Sequence, residues 1–396
     1  MFSAFKTLFE GDRSLLCPYC FDDFKLSVTP FRCDSPPDRC APEPDEVFGK
    51  AWGDPTPRAR LLPAKNGPAT SCPACRAVTY TRSCPHCHMD LPAQLLKRSS
   101  RNLIFSVIGA SGTGKTHYLA VLINQIQEYL EGPLGFTMGG VDDYTIKRYR
   151  EKFYDPLYNG HKPIDFTRAG RGNIDVRRPL LYELMFDRVS GGGDARTVLL
   201  AFFDTAGEDM GSESELAAVS RYIYRSDGII LLLDPLQLDH VRAQLEGHVA
   251  LPRKSAEIDD IVQRTSNLIL KGRRLPPGSP MPIPLALTFS KLDAIEDLLD
   301  AQAAVLRTPR VDQGYDVSDA TEVSRQLKSN LRDWRGAHVL QQVEGRFPVH
   351  QLFGVSALGC NPTATDVVPR VVPHRVADPF LWLLHQNKLV KTAPRS

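Results

Sequence analysis

Residues 109–116 read GASGTGKT. Glycines, a lysine and a threonine at the spacing G-x-x-x-x-G-K-[ST] suit a phosphate chain. Gly109, Gly112 and Gly114 let the backbone N–H groups of the turn, including those of Ser111 and Thr113, converge on one phosphate. The helix that must follow adds the positive end of its dipole. Lys115 is placed to reach the outer phosphate oxygens, and the Thr116 hydroxyl is a ligand for Mg²⁺. The context fits: the apolar run "NLIFSVIG" leads into the turn, and "KTHYLAVLINQIQEYL" leaves it with Leu119, Leu122, Ile123, Ile126 and Leu130 on one helical face.

Three later segments bear on which nucleotide is held. In "LLAFFDTAGED" an apolar strand delivers Asp204 to the phosphate edge, where it can hold Mg²⁺ through water. The Gly207 N–H, three residues on, can touch a γ-phosphate, a contact that exists only before hydrolysis. In "ALTFSKLD", Asp293 can accept both N–H donors of a guanine edge, and Lys291 can lay its stem over the base. In "FGVSALG", Ser356 and Ala357 can approach the base from the other side. A competing assignment makes Asp234 of "IILLLDP" the metal-side acid of an ATPase, and leaves "DTAGED" and "SKLD" unexplained.

The second chemistry is sulfur. Eight of the nine cysteines precede residue 88. The knuckles Cys72–Cys75 and Cys84–Cys87 are separated by a span short enough to close one tetrahedral four-sulfur Zn²⁺ site. Cys17 and Cys20 form a third knuckle, with Cys33 and Cys40 available as partners for a second site. A crossed arrangement, joining Cys17 and Cys20 to a later pair, stays open. Four sulfurs leave a metal no open position, so the sites are expected to be structural. Cys360 reads as a small buried apolar residue.

The order of the motifs, Gly109–Thr116, Asp204–Gly207, Ser290–Asp293 and Ser356–Leu358, resembles the translation-factor-related class of P-loop GTPases. The cysteine-rich head and the "DPFLWLL" tail are similar to bacterial double-GTPase proteins. The resemblance covers roughly residues 102–390. It implies a Ras-like α/β fold: a mostly parallel six-stranded sheet, one strand antiparallel, with helices on both faces. It also implies GTP and Mg²⁺ as ligands, a threonine from the first switch at Thr167 (Thr145 being the alternative), a protein partner such as an activator or effector, and a place in bacterial conflict or defence systems. Two departures stand out. Ser290 replaces the usual Asn or Thr. Glu208 replaces a water-orienting Gln, so slow hydrolysis awaiting a partner is expected, with Lys115, Thr167 and Glu208 as the catalytic set.

These residues require two units. Residues 1–98 are cysteine- and proline-rich and read as a small zinc-ribbon-like domain, with an extended loop across "DSPPDRCAPEPDEVFGKAWGDPTPRARLLPAKNGPAT". Residues 99–396 alternate strands with helices and read as the P-loop GTPase domain. A net charge of +2 gives no reason to expect a nucleic-acid partner. The apolar runs are too short to span a bilayer, and the N-terminus lacks a secretory pattern. A reducing cytoplasm is therefore expected for the thiols.

Overall fold

The computed structural model describes residues 13–97, 100–164, 178–186, 197–202, 220–254, 258–310, 314–362 and 367–393. Seven strands form the main sheet: β1 Ser100–Gly109, β2 Phe136–Gly140, β3 Leu180–Phe186, β4 Thr197–Phe202, β5 Gly228–Leu233, β6 Leu285–Phe289 and β7 His350–Gly354. Their order is β7-β6-β5-β1-β4-β3-β2. Neighbours are parallel except at β3, which is antiparallel to both β4 and β2. The expected six strands are all present, and β2 adds a seventh at the edge. The β3–β4 pair is the antiparallel pair expected around residues 191–193.

The central strands are continuous apolar runs because both their faces are covered. Every residue of β5, GIILLL, and of β6, LALTF, is buried. On one face Phe105, Val107 and Leu232 pack beneath the P-loop helix Lys115–Gln125 and the C-terminal helix Asp378–Gln386. On the other, Ile104, Ile108 and Leu231 meet helices Ile258–Arg273 and Val317–Asp333. Phe21, Phe24 and Leu91 of the cysteine-rich head join this second core, so the head is docked on the sheet. The Asn102 amide donates to the Leu16 carbonyl at 2.9 Å, and Gln94 donates to Glu183 of β3 at 3.0 Å.

Within the head, three antiparallel ladders of two or three residues hold the chain: Ser14–Leu16 with Asp23–Lys25, Phe31–Arg32 with Leu61–Leu62, and Thr70–Ser71 with Val78–Thr79. The proline-rich loop is not wholly extended. It contains a helix, Glu46–Trp52, because Asp45 caps it through the Phe48 N–H and Gly53, at φ 72°, ends it. Phe48 and Trp52, four residues apart, supply its buried face.

Candidate functional site

The P-loop lies at the C-terminal edge of the parallel strands, between the end of β1 and the first turn of its helix. Gly112 and Gly114 have φ of 76° and 86°, a region costly for residues with a Cβ. Gly109 is required for space: a Cβ there would lie 2.6 Å from the Leu232 carbonyl oxygen and 2.7 Å from Thr113 Oγ1. Lys115 is buried, and its ammonium donates to the carbonyls of Gly109 at 2.8 Å and Ala110 at 2.9 Å. The Thr113 hydroxyl donates to the Ala110 carbonyl at 2.9 Å, closing the loop on itself. Ser111 is exposed on the turn, and Thr116 is the second residue of the helix.

β5, beside β1, and β6 carry Asp234, Ser290, Lys291 and Asp293 to the same edge. Lys291 adopts the left-handed conformation, φ 54°, which costs a lysine about 1–2 kcal/mol. Its ammonium is held 2.6 Å from the Asp234 carboxylate, which is almost fully buried and also accepts from the Leu236 N–H. The Ser290 hydroxyl donates to the Leu233 carbonyl at the end of β5. Asp293 accepts the Ser356 hydroxyl at 2.5 Å, and Ser356 Oγ accepts the Gly359 N–H. Thus the two predicted base-contacting segments meet, 63 residues apart in sequence. Ala357 is half-buried on the turn after Ser356. That turn is anchored by paired backbone bonds between Ser356 and His374. Beside it, Arg375 is clamped to Asp319 and Asp378, each at 2.7 Å.

The sequence reading missed His117. Burial, and secondarily the Lys291 charge, lowers its pKa to about 4, so the neutral ring accepts the Ile164 N–H through Nε2 at 2.9 Å. This ties the P-loop helix to the chain just before residues 165–177. Its signal was only its place beside Thr116. Thr167, Asp204, Gly207 and Glu208 lie outside the described residues. The alternative to Thr167, Thr145, is buried, and its hydroxyl accepts the Leu181 N–H at 3.0 Å.

The eight head cysteines form two clusters, each with its sulfurs within 4.8 Å of one another: Cys17, Cys20, Cys84 and Cys87; and Cys33, Cys40, Cys72 and Cys75. This corrects the expected pairing of Cys72–Cys75 with Cys84–Cys87 and of Cys17–Cys20 with Cys33 and Cys40. The crossed arrangement holds, because the Cys72–Cys75 knuckle packs on the Phe31–Leu62 core while the Cys84–Cys87 knuckle packs with Cys17 and Cys20 against the sheet. The sulfurs of Cys17 and Cys87, Cys20 and Cys84, Cys33 and Cys75, and Cys40 and Cys72 lie 3.6–3.9 Å apart. Four sulfurs each about 2.3 Å from a tetrahedral Zn²⁺ would lie about 3.8 Å apart, so the donor sets fit zinc. The three C-P-x-C knuckles share one turn: the N–H of the residue after the second cysteine bonds the first cysteine's carbonyl, at Phe21, Arg76 and His88. All three of those residues have positive φ.

A family model described as Double-GTPase 2 matches residues 103–332, more than half of the chain. The chain belongs to the Double-GTPase 2 family. A curated relative, the putative ESX-1 scaffolding and assembly protein SaeC of Mycolicibacterium smegmatis, is 30% identical over 318 residues, covering 76% of this chain and 78% of SaeC. Among solved structures, the Arl6 BBS3 small GTPase from Trypanosoma brucei with bound GppNp matches at 14% identity and a TM-score of 0.28, covering 74% of this chain and all of that one. Among the described residues of this double-GTPase chain, no helix is long and apolar enough to cross a membrane.

Proposed function

We propose that the chain is a regulatory GTPase that binds GTP–Mg²⁺, hydrolyses it slowly, and uses the change to control assembly with a protein partner. One observation carries this reading: the P-loop and the Asp293–Ser356 pair occupy one edge of a single sheet, as a nucleotide's phosphates and base require. Ser356 donates to one Asp293 oxygen and so orients the carboxylate. A guanine edge offers two N–H donors to such a group, whereas adenine presents an acceptor in place of one of them. Lys115 would bind the outer phosphates, and Thr116 and Asp204 would hold Mg²⁺, which neutralises charge developing on the phosphoryl group. Thr167 would complete the metal shell, and Glu208 would orient water poorly, leaving turnover dependent on a partner.

Family membership supports the GTPase class. SaeC's description as a scaffolding and assembly protein supports a protein partner. The ATPase reading is weakened by Asp234, whose carboxylate is committed to Lys291 and the Leu236 N–H. An adaptor that holds nucleotide without turnover remains the second reading, favoured by Glu208.

Titration with mant-GTP and mant-ATP, with phosphate release measured in parallel, tests the proposal. GTP binding tighter than ATP binding, lost in Lys115→Ala, is the expected result. Equal or tighter ATP binding sinks the guanine assignment. GTP binding without phosphate release, even with cell extract added, selects the adaptor.

A further inference from the structure

We propose that the first cysteine knuckle, Cys17–Asp23, is the chain's own reader of its nucleotide state, docked on residues that flank both nucleotide-responsive segments. The proposal deepens the GTPase reading and rests on it. The knuckle turn is closed by the Phe21 N–H on the Cys17 carbonyl and the Cys17 N–H on the Asp22 carbonyl, each at 3.0 Å. With Phe21 held at φ 60°, four side chains of this turn reach the nucleotide domain.

Tyr19 donates to Asp142 at 3.2 Å. The same carboxylate oxygen pairs with Arg178 at 2.7 Å, and the guanidinium lies 4.0 Å from the centre of the Tyr144 ring and 5.5 Å from that of Tyr19. Burial pushes the Asp142 carboxyl up, but Arg178 and the Thr145 bonds outweigh it and hold it below the ordinary carboxylate value. Arg178 directly follows residues 165–177, which include Thr167. On the other flank the Phe21 ring meets Tyr222 at 5.5 Å, Asp22 accepts two bonds from Arg221 at 2.9 and 3.2 Å, and Asp23 pairs with Arg225 at 2.5 Å. These partners directly follow residues 203–219, which include Asp204 and Gly207. Tyr222 is itself bonded to the Phe105 carbonyl of β1 at 2.6 Å, the strand that ends in the P-loop. The second cluster's knuckle instead bonds within the head: Arg76 N–H to the Cys72 carbonyl, and Cys75 sulfur with Ser35.

The sulfurs of Cys17 and Cys20 fix the turn through Cys84 and Cys87. A metal held there would stiffen the surface on which Arg178 and Arg221 rest. With nucleotide favouring the docked arrangement of Arg178 and Arg221, docking tightens nucleotide binding. By reciprocity, bound nucleotide must then retain the metal to the same degree.

The test is mant-GTP dissociation from the zinc-loaded full chain, for wild type, Asp22→Arg, Arg221→Asp and the double swap. Both side chains are about a third exposed, so the variants should fold, and zinc content checks that they do. Each single variant should release mant-GTP about fivefold faster, at the lower end of typical coupling, with the swap returning most of the difference. Competition with a chromogenic chelator, read at equilibrium, should show one zinc held about fivefold more tightly by GTP-loaded than by nucleotide-free protein. Wild-type dissociation rates in both single variants, or a swap as fast as either, would overturn the proposal, as would zinc affinity indifferent to GTP. Wild-type protein that binds no mant-GTP would overturn the GTPase reading and the coupling together; binding insensitive to the flanks overturns the coupling alone.

Discussion

At the scale of single residues, Asp234 separates the two nucleotide readings. Its carboxylate lies 2.6 Å from Lys291, and Lys291 occupies a backbone conformation unfavourable for a lysine. Strain of this kind persists where surrounding contacts over-determine it, and it clusters at ligand sites. Asp234→Asn keeps an oxygen for the Leu236 N–H but removes the charge that positions Lys291. A charge-assisted bond of this type is worth about 1.5–3 kcal/mol, so mant-GTP affinity should fall by at least about tenfold. The Mg²⁺ dependence of phosphate release should stay as in wild type. Intact GTP binding with Mg²⁺-dependent turnover abolished would instead make Asp234 the metal-side acid. The P-loop itself was legible because its chemistry needs particular residue types in consecutive order. The link between Asp293 and Ser356 was legible only as two separate motifs, since the hydrogen bond joining them depends on β6 and β7 being neighbours. His117 was not legible: nothing local distinguishes an acceptor for a distant N–H from an ordinary helix-face histidine.

At the scale of elements, the P-loop's position depends on how closely β1 and β5 approach. Leu232 pairs with Gly109, and no Cβ fits between Gly109 and the Leu232 carbonyl. Gly109→Ala must push the two strands apart or displace the loop, at a cost of about 1–3 kcal/mol, typical of overpacking. Urea denaturation should show the loss, and mant-GTP binding should weaken with it. Gly139→Ala is the matched control, because a Cβ there meets no heavy atom within 4 Å; its midpoint should not fall. The apolar strands β1, β4, β5 and β6 could be read from sequence because burial on both faces leaves an unbroken hydrophobic run. β2, FTMGG, could not: two of its five residues are glycine, and edge pairing to β3 rather than propensity makes it a strand. Helix Glu46–Trp52 was hidden by the prolines around it, although Asp45 and the Phe48–Trp52 spacing were its signals.

At the scale of the whole molecule, the sequence marks the cysteines of the head as candidate metal ligands but not which of them share a site. Three knuckles of the same local form are interchangeable until tertiary packing brings two of them together, and the contacts that do so span 64 to 70 residues. The docking of the head on the sheet was hidden for the same reason, since Asp22 and Arg221 are 199 residues apart. Metal counting on double variants tests the crossed arrangement directly. The unaltered 396-residue chain should carry about two zinc, one for each four-sulfur cluster. Cys17→Ser with Cys84→Ser damages a single cluster and should leave one zinc. Cys72→Ser with Cys84→Ser damages both and should leave none. Pairing by nearness in sequence gives the opposite result, with the first combination emptying both sites and the second sparing one. Each Cys→Ser change removes a thiolate without altering side-chain size much, so metal content measured by atomic emission reports cluster membership. The loss of one site should also lower the melting temperature, because a metal bound only by the folded chain stabilises it by mass action.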